Sequence, residues 1–183
     1  ARVAVFTYEG MYITDWGASG TGEGRFRVPH SIAIDRRGDV YVADRDNSRV
    51  QVFDAAGTYM SQWLSRVASA GQRHSYSRHV SSIAYHPVLD LFAVTEGDAV
   101  QVRTPSGCTL VETEGGMQWP HDALLIPSDA LGGKAAPNRS AVAHGGGQYA
   151  LFVAELSGRR IKRYNAGPLA LTSETHQEAG SYG

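Results

Sequence analysis

An internal repeat constrains the fold of this 183-residue chain more than any other feature. The clearest copy, residues 29–63, has four short runs of β-branched and aromatic residues separated by Gly, Asp or Asn. Such runs predict four consecutive antiparallel strands. A period of about 40 to 50 residues is typical of β-propellers, in which each four-stranded sheet is one blade around a central axis. The sequence therefore predicts an all-β propeller.

The same order of runs recurs and divides the chain into units. We predict blades over residues 28–65, 78–115 and 119–166, while residues 1–17 match only the last two strands of a unit. Residues 1–168 would then form about three and a half blades, below the usual four to eight. We therefore expect a partial propeller whose remaining blades come from the same or another chain. An open β array is the alternative.

Two segments lack this strand pattern. Residues 128–148 are rich in Gly, Ala, Ser and Pro and are expected to form a surface insertion loop, and residues 167–183 a tail or linker. The insertion contains an N-glycosylation sequon at Asn138, which weakly favours a secreted glycoprotein. The only cysteine, Cys108, is expected to be a small buried apolar residue within a strand.

The charge and hydropathy of the chain argue against two classes of partner. A net charge of −1 provides no basic field for nucleic acid. No apolar run approaches the roughly 18 residues that a membrane span needs. We therefore expect neither nucleic-acid binding nor membrane insertion.

A Pro-His pair occurs at matching points of two repeats. It reads Pro29-His30 in one unit and Pro120-His121 two units later, while the intermediate unit has Ser81 at the histidine position. The first strand of each blade lines the central channel of a propeller, so we expect both imidazoles to face one axis. In a six-bladed ring, a third histidine two blades upstream of His30 would complete a three-histidine zinc site.

The alternative for each histidine is a hydrogen-bonded surface or channel residue. Two histidines in equivalent positions, each preceded by proline, strengthen the case for metal binding, and both readings stay open from these residues. Five other histidines fit this pattern less well: His74, His79, His86, His144 and His176.

Two further residues near the Pro-His pairs are candidates for function. Arg45 opens the turn after the second strand of its unit and suits a bidentate clamp on a substrate carboxylate. The alternative is a solvated turn arginine paired with Asp44 or Asp46. Asp122 follows His121 and could orient a ligand or bind calcium; its alternative role is to cap a turn.

Residues 38–53 resemble an NHL repeat. More specifically, the chain resembles peptidyl-α-hydroxyglycine α-amidating lyase, through the motifs at 29–31, 43–47, 91–94 and 120–122. The resemblance covers nearly all of residues 1–168. It implies a six-bladed propeller with a three-histidine zinc site and a structural calcium ion. It also implies a secreted or lumenal enzyme that cleaves peptidyl-α-hydroxyglycine to a peptide amide and glyoxylate.

The resemblance assigns roles to individual residues. His30 and His121 match two zinc ligands, Arg45 matches an active-site arginine, and Asp122 matches a calcium ligand. The third histidine and the tyrosine base match positions upstream of Ala1, so we expect this chain alone to be inactive.

The sequence also departs from the family, which keeps other functions open. Tyr41 and Val52 stand where animal members have paired cysteines, and Trp119 stands where a methionine is common. One alternative is a noncatalytic extracellular NHL propeller that binds protein or glycan. Another is a different metal-dependent hydrolase or lyase, because one scaffold supports many functions.

Overall fold

Two small sheets precede the first complete repeat. The structure, a computed structural model, describes residues 1–65, 79–113, 117, 119–127, 149–156 and 160–166. The first sheet is an antiparallel pair at the place where the sequence predicts an incomplete unit, and the second is a short parallel pair. Their strands are β1 (Val3–Phe6) with β2 (Tyr12–Trp16), and β3 (Ala18–Ser19) with β4 (Arg25–Phe26).

The first complete repeat folds into a four-stranded antiparallel sheet in which consecutive strands are neighbours. Its two central strands are buried along their whole length, because other parts of the chain pack on both faces. A 3-10 turn over Arg45–Asn47 joins them. The strands are β5 (Pro29–Ile34), β6 (Val40–Asp44), β7 (Arg49–Phe53) and β8 (Tyr59–Leu64).

The next two repeats have the same order of strands. The second sheet has four strands and the third has three among the described residues. In both sheets the pairing is antiparallel between strands that are consecutive in sequence. The strands are β9 (Val80–His86), β10 (Leu91–Glu96), β11 (Ala99–Arg103), β12 (Thr109–Glu112), β13 (Pro120–Pro127), β14 (Tyr149–Glu155) and β15 (Arg160–Ala166).

The hydrophobic core lies between successive sheets. Phe92 of the second sheet is fully buried, and its ring packs 4.3 Å from that of Tyr41 and 5.4 Å from that of Trp63 in the first sheet. A second cluster joins β10 and β11 to β13 and β14. Strand β9 contacts both β5 and β13, so the innermost strands of the three sheets lie side by side.

A tryptophan of one sheet packs beneath a turn glycine of the next. Trp16 lies against Gly57 in the β7–β8 turn, and Trp63 lies against Gly107 in the β11–β12 turn. Both glycines have φ between +85° and +87°, a conformation that disfavours other residues. A Cβ at either position would lie 2.5 Å from the indole. These two positions therefore require glycine for conformation and for space.

Each of the three sheets also contains an ion pair with a buried carboxylate. Its carboxylate ends the second strand of the sheet, and its cation lies on the third strand. The pairs are Asp44–Arg49 at 3.0 Å, Glu96–Arg103 at 2.7 Å and Glu155–Lys162 at 2.8 Å. Because a buried charge without a partner is costly, these pairs fix the corner from which the following turn leaves the sheet.

One sequence prediction is wrong. Cys108 is exposed rather than buried, because it closes the β11–β12 hairpin turn instead of entering β12. Its amide donates to the Thr104 hydroxyl, and its carbonyl accepts from the Thr104 amide.

Some sequence predictions fall on residues that the structure does not describe. The insertion at 128–148 with its sequon, the tail at 167–183, and His74, His144 and His176 all lie outside the described residues. The exact unit boundaries remain predictions. Within the described ranges, no helix has the length and hydrophobicity of a membrane span.

Candidate functional site

The innermost strand of each sheet carries a β-bulge at the same position. The residue without a partner in the strand pairing is His30 in β5, Ser81 in β9 and His121 in β13. A bulge breaks the alternation of faces and redirects a side chain. The three equivalent bulges therefore explain how neighbouring sheets present these residues at one end of the molecule.

A second set of equivalent residues lies beside the bulges. Arg45, Gly97 and Leu156 each follow the buried carboxylate that ends the second strand of their sheet. Their amides donate to the carbonyls of the residues that precede the innermost strands, at 2.9 to 3.0 Å, namely Val28, His79 and Trp119. The repeat thus places residues of three sheets around a common entrance.

These positions enclose one pocket of about 160 Å³. The three strand-entry regions and the three corner residues all contribute to its walls. The lining residues are His30, Arg45, His79, Ser81, Gly97, Trp119, Pro120, His121 and Leu156.

The structure brings the two histidines of the Pro-His motifs together. The ring centres of His30 and His121 are 5.3 Å apart, with an angle of 72° between the ring planes. Two imidazoles bound to one tetrahedral ion at the usual zinc–nitrogen distance of about 2.0–2.1 Å have centres about 5 Å apart. The spacing of the pair is therefore compatible with two ligands of one zinc ion.

A backbone contact fixes the tautomer of His30. Its Nδ1 lies 2.5 Å from the carbonyl oxygen of Ser81. A carbonyl can only accept a hydrogen bond, so Nδ1 must carry the hydrogen, and in a neutral ring Nε2 keeps its lone pair. An Nδ1–H donated to a backbone carbonyl is the usual outer contact of a metal-binding histidine.

Arg45 lines the same pocket and has two partners. Its Nε donates to Nδ1 of His79 at 3.1 Å and lies 3.2 Å from Oδ1 of Asp46. The side chain is 37% exposed. Asp44, the other partner considered from sequence, accepts instead from Arg49, Asn47 and the amide of Arg27. Arg45 therefore borders the histidine pair while pairing with a turn carboxylate.

Asp122 does not line the pocket. Its Oδ1 accepts from the hydroxyl of Ser82 at 2.6 Å and from the amide of Ala123 at 2.9 Å. The carboxylate thus joins the third sheet to the second. Calcium binding by Asp122 remains a prediction.

No third metal ligand accompanies the histidine pair in the described ranges. Those ranges contain no group of three or more His, Cys, Asp or Glu side chains that could hold a metal ion. The sequence expectation of a third histidine upstream of Ala1 remains a prediction.

His79 is a pocket residue that the sequence did not single out. It precedes Ser81 by two positions and occupies the place of Val28 and Trp119 in the other sheets. This equivalent position in the repeat is the sequence feature that points to His79. The alignment of Ser81 with His30 and His121 places His79 at that point, but the sequence does not show that its ring enters the pocket.

Comparison with known proteins supports the repeat assignment. Residues 26–53 match the NHL repeat model. The chain is 28% identical to NHL repeat-containing protein 3 of Mus musculus over 168 residues, which cover 89% of this chain and 42% of that protein. It is 35% identical to peptidyl-glycine alpha-amidating monooxygenase of Mus musculus over 99 residues, 51% of this chain and 9% of that protein. The chain therefore spans less than half of these relatives.

Solved structures support the architecture. Virginiamycin B lyase from Staphylococcus aureus superimposes with a TM-score of 0.57 at 16% identity, over 88% of this chain and 44% of that one. A streptogramin B lyase gives 0.55 at 14% identity, over 97% and 46%. At these identities the likeness concerns the fold alone. The chain is therefore a partial β-propeller that contains an NHL repeat, homologous to NHL repeat-containing protein 3 and to peptidyl-glycine alpha-amidating monooxygenase.

Proposed function

We propose that this pocket is part of the active site of a zinc-dependent lyase of the peptide-amidating class. The observation that carries the proposal is the meeting of His30 and His121 in a pocket that Arg45 also lines. His30 and His121 would hold the zinc ion together with a third ligand from outside the described residues. The substrate would be a peptide that ends in α-hydroxyglycine.

The reaction of this class breaks the bond between the α-carbon and the amide nitrogen. The hydroxyl oxygen loses its proton and becomes the aldehyde oxygen of glyoxylate, while the nitrogen gains a proton and leaves as the peptide amide. Zinc, when bound, lowers the pKa of the oxygen that it contacts. Arg45 would hold the substrate carboxylate. The base that accepts the hydroxyl proton would come from outside this chain's described residues.

Three further features belong to the same proposal. The missing blades would come from the same or another chain. A calcium ion at Asp122 would stabilise the region where the second and third sheets meet. The protein would act in the secretory pathway or outside the cell, where the sequon at Asn138 could be glycosylated.

A noncatalytic NHL propeller that binds protein or glycan is the second candidate. One observation favours it: the match to NHL repeat-containing protein 3 extends over 89% of this chain, against 51% for the mouse amidating enzyme. Such a propeller would need neither the histidine pair nor a metal ion. Metal content therefore separates the two candidates.

The test combines zinc content with glyoxylate release. We expect the protein to bind about one zinc ion per chain. Loss of a residue that only contacts a metal ligand typically weakens metal binding about 10- to 100-fold. Because His30 and His121 would be ligands themselves, His30→Ala or His121→Ala should weaken zinc binding by more than that. His86→Ala is the matched control: His86 ends β9, where its Nδ1 accepts from the Leu89 amide. It should retain zinc.

Activity is measured on the protein with its complete ring, using an α-hydroxyglycine peptide. Glyoxylate release that both histidine variants abolish would support the lyase. Unchanged zinc content in both variants would rule out the metal site. A complete ring that binds zinc at this pair but releases no glyoxylate would rule out the lyase and leave the metal site standing.

A further inference from the structure

We propose that His79 is a positioning residue that holds the Arg45 guanidinium in place to capture a ligand carboxylate. The inference rests on the proposed function, since it assumes that Arg45 binds the carboxylate of the substrate. It adds a role for the second sheet, which has no histidine at the Pro-His position. That sheet would orient the functional groups of its neighbours.

The entrance to β9 contacts the candidate residues of both neighbouring sheets. The Ser81 carbonyl accepts from the His30 ring, and the Ser82 hydroxyl donates to Asp122. The His79 ring accepts from Arg45. Residues 79–82 therefore contact the zinc ligand, the arginine and the carboxylate that the sequence singled out. Ser81 acts through its backbone, so His79 is the member whose contribution to the pocket can be removed by substitution.

The backbone of His79 is itself fixed. Its carbonyl accepts from the amide of Gly97 at 3.0 Å, the contact that closes the corner of the second sheet. Its side chain is only 23% exposed. A residue with a held backbone and a largely buried side chain can restrain a more mobile partner, and Arg45 is a long side chain that would otherwise sample several rotamers.

The hydrogen bond between Arg45 and His79 determines which N–H groups of Arg45 can bind a ligand. A guanidinium donates only, so Nδ1 of His79 must be the acceptor. The contact uses Nε of Arg45. The ion pair of Arg45 with Asp46 also uses Nε, and the two terminal NH₂ groups are a part of the guanidinium that can hold a carboxylate bidentately.

Asp46 does not provide the same restraint. It lies 3.2 Å from the same Nε but belongs to the same 3-10 turn as Arg45 and is 38% exposed. A residue of that turn moves with Arg45. His79 belongs to the neighbouring sheet, so it fixes Arg45 relative to the pocket. The contact with His79 therefore ties the Arg45 side chain to the second sheet, whereas the contact with Asp46 does not.

The test measures carboxylate binding to the zinc-loaded protein by calorimetry, with N-acetylglycine as the probe and the uncharged N-acetylglycinamide as its counterpart. His79→Ala should weaken N-acetylglycine binding by up to about tenfold, because the binding step must then also order the Arg45 side chain that His79 otherwise holds in advance. Binding of the amide and zinc content should be unchanged. His79→Gln, whose side-chain oxygen can accept from Arg45, should restore most of the affinity.

Two variants complete the design. His86→Ala, on the opposite end of the same strand, should bind both probes as the unchanged protein does. Arg45→Ala reports on the proposed function itself: if it leaves carboxylate binding unaltered, the arginine clamp is wrong. If Arg45→Ala loses binding while His79→Ala keeps it, only the positioning role is overturned. Equal losses in His79→Ala and His79→Gln also overturn it, because the acceptor atom would not matter.

Discussion

His30 and His121 meet although 90 residues separate them in sequence, and each depends on a residue of another sheet. The Nδ1 of His30 is held by a backbone carbonyl of the second sheet. His121 is more exposed, and its ring packs edge-on against that of His30. The sequence predicted this pair because both follow a proline at one point of the repeat. It could not predict the Ser81 contact, because a backbone acceptor leaves no trace in side-chain identity.

Two other residues show where sequence reasoning stops. Cys108 was expected in a strand, but the hairpin turn ends one residue later than the apolar pattern indicates, so the side chain is exposed. His79 lies two residues before the repeat position of the histidines, so the Pro-His pattern does not include it. Its importance depends on where its ring points, which follows from packing between sheets.

The buried pair Glu96–Arg103 yields a prediction at the residue scale. Both side chains are at most 3% exposed, and Glu96 also accepts from the Ser65 hydroxyl. Glu96→Ala leaves the Arg103 cation buried without this partner, so we expect the free energy of unfolding to fall by about 3–5 kcal/mol. Chemical denaturation followed by circular dichroism measures the change.

The control is the exposed pair Arg2–Asp15, in which the arginine is 66% exposed. Arg2→Ala should cost about 1 kcal/mol or less, because water and salt screen such pairs. Equal losses in the two variants would contradict a structural role for the buried Glu96 carboxylate.

At the scale of elements, the repeat predicts the strands well and the bulges poorly. Alternating apolar residues mark a strand because its side chains alternate between faces. A bulge adds a residue that breaks this period. Proline precedes the bulge residue in β5 and β13, but Val80 precedes it in β9. The Pro-His motif therefore indicates two of the three bulges, and the third emerges from strand pairing.

The contact between a turn glycine and a tryptophan of the previous sheet gives a prediction for this scale. Gly107→Ala places a Cβ 2.5 Å from the Trp63 indole and also occupies a φ of +85°. The backbone strain costs about 1–2 kcal/mol. Overpacking of the indole adds about 1–3 kcal/mol. Urea denaturation of the two proteins gives the total.

Gly10→Ala separates the two effects. Gly10 has a φ of +84°, and a Cβ there would have nothing within 4 Å. This variant should show the backbone strain alone. If Gly107→Ala costs no more than Gly10→Ala, the tryptophan contact does not contribute to the packing of one sheet on the next.

At the scale of the whole molecule, the three larger sheets lie next to one another, with the innermost strands β5, β9 and β13 side by side. The sequence predicted this partial propeller, since the repeat period and the order of strands specify it. The pocket forms at one end of the molecule because equivalent residues of three neighbouring sheets meet there. Its charge and shape could not be predicted, because they depend on side chains that enter from different units.

Zinc-edge anomalous diffraction from crystals of the zinc-loaded protein tests the central claim most directly. We predict a single anomalous peak about 2.0–2.1 Å from Nε2 of both His30 and His121. The Nδ1–H of His30 should remain on the Ser81 carbonyl. A peak bound to only one of these histidines, or no peak between the two rings, would contradict the account.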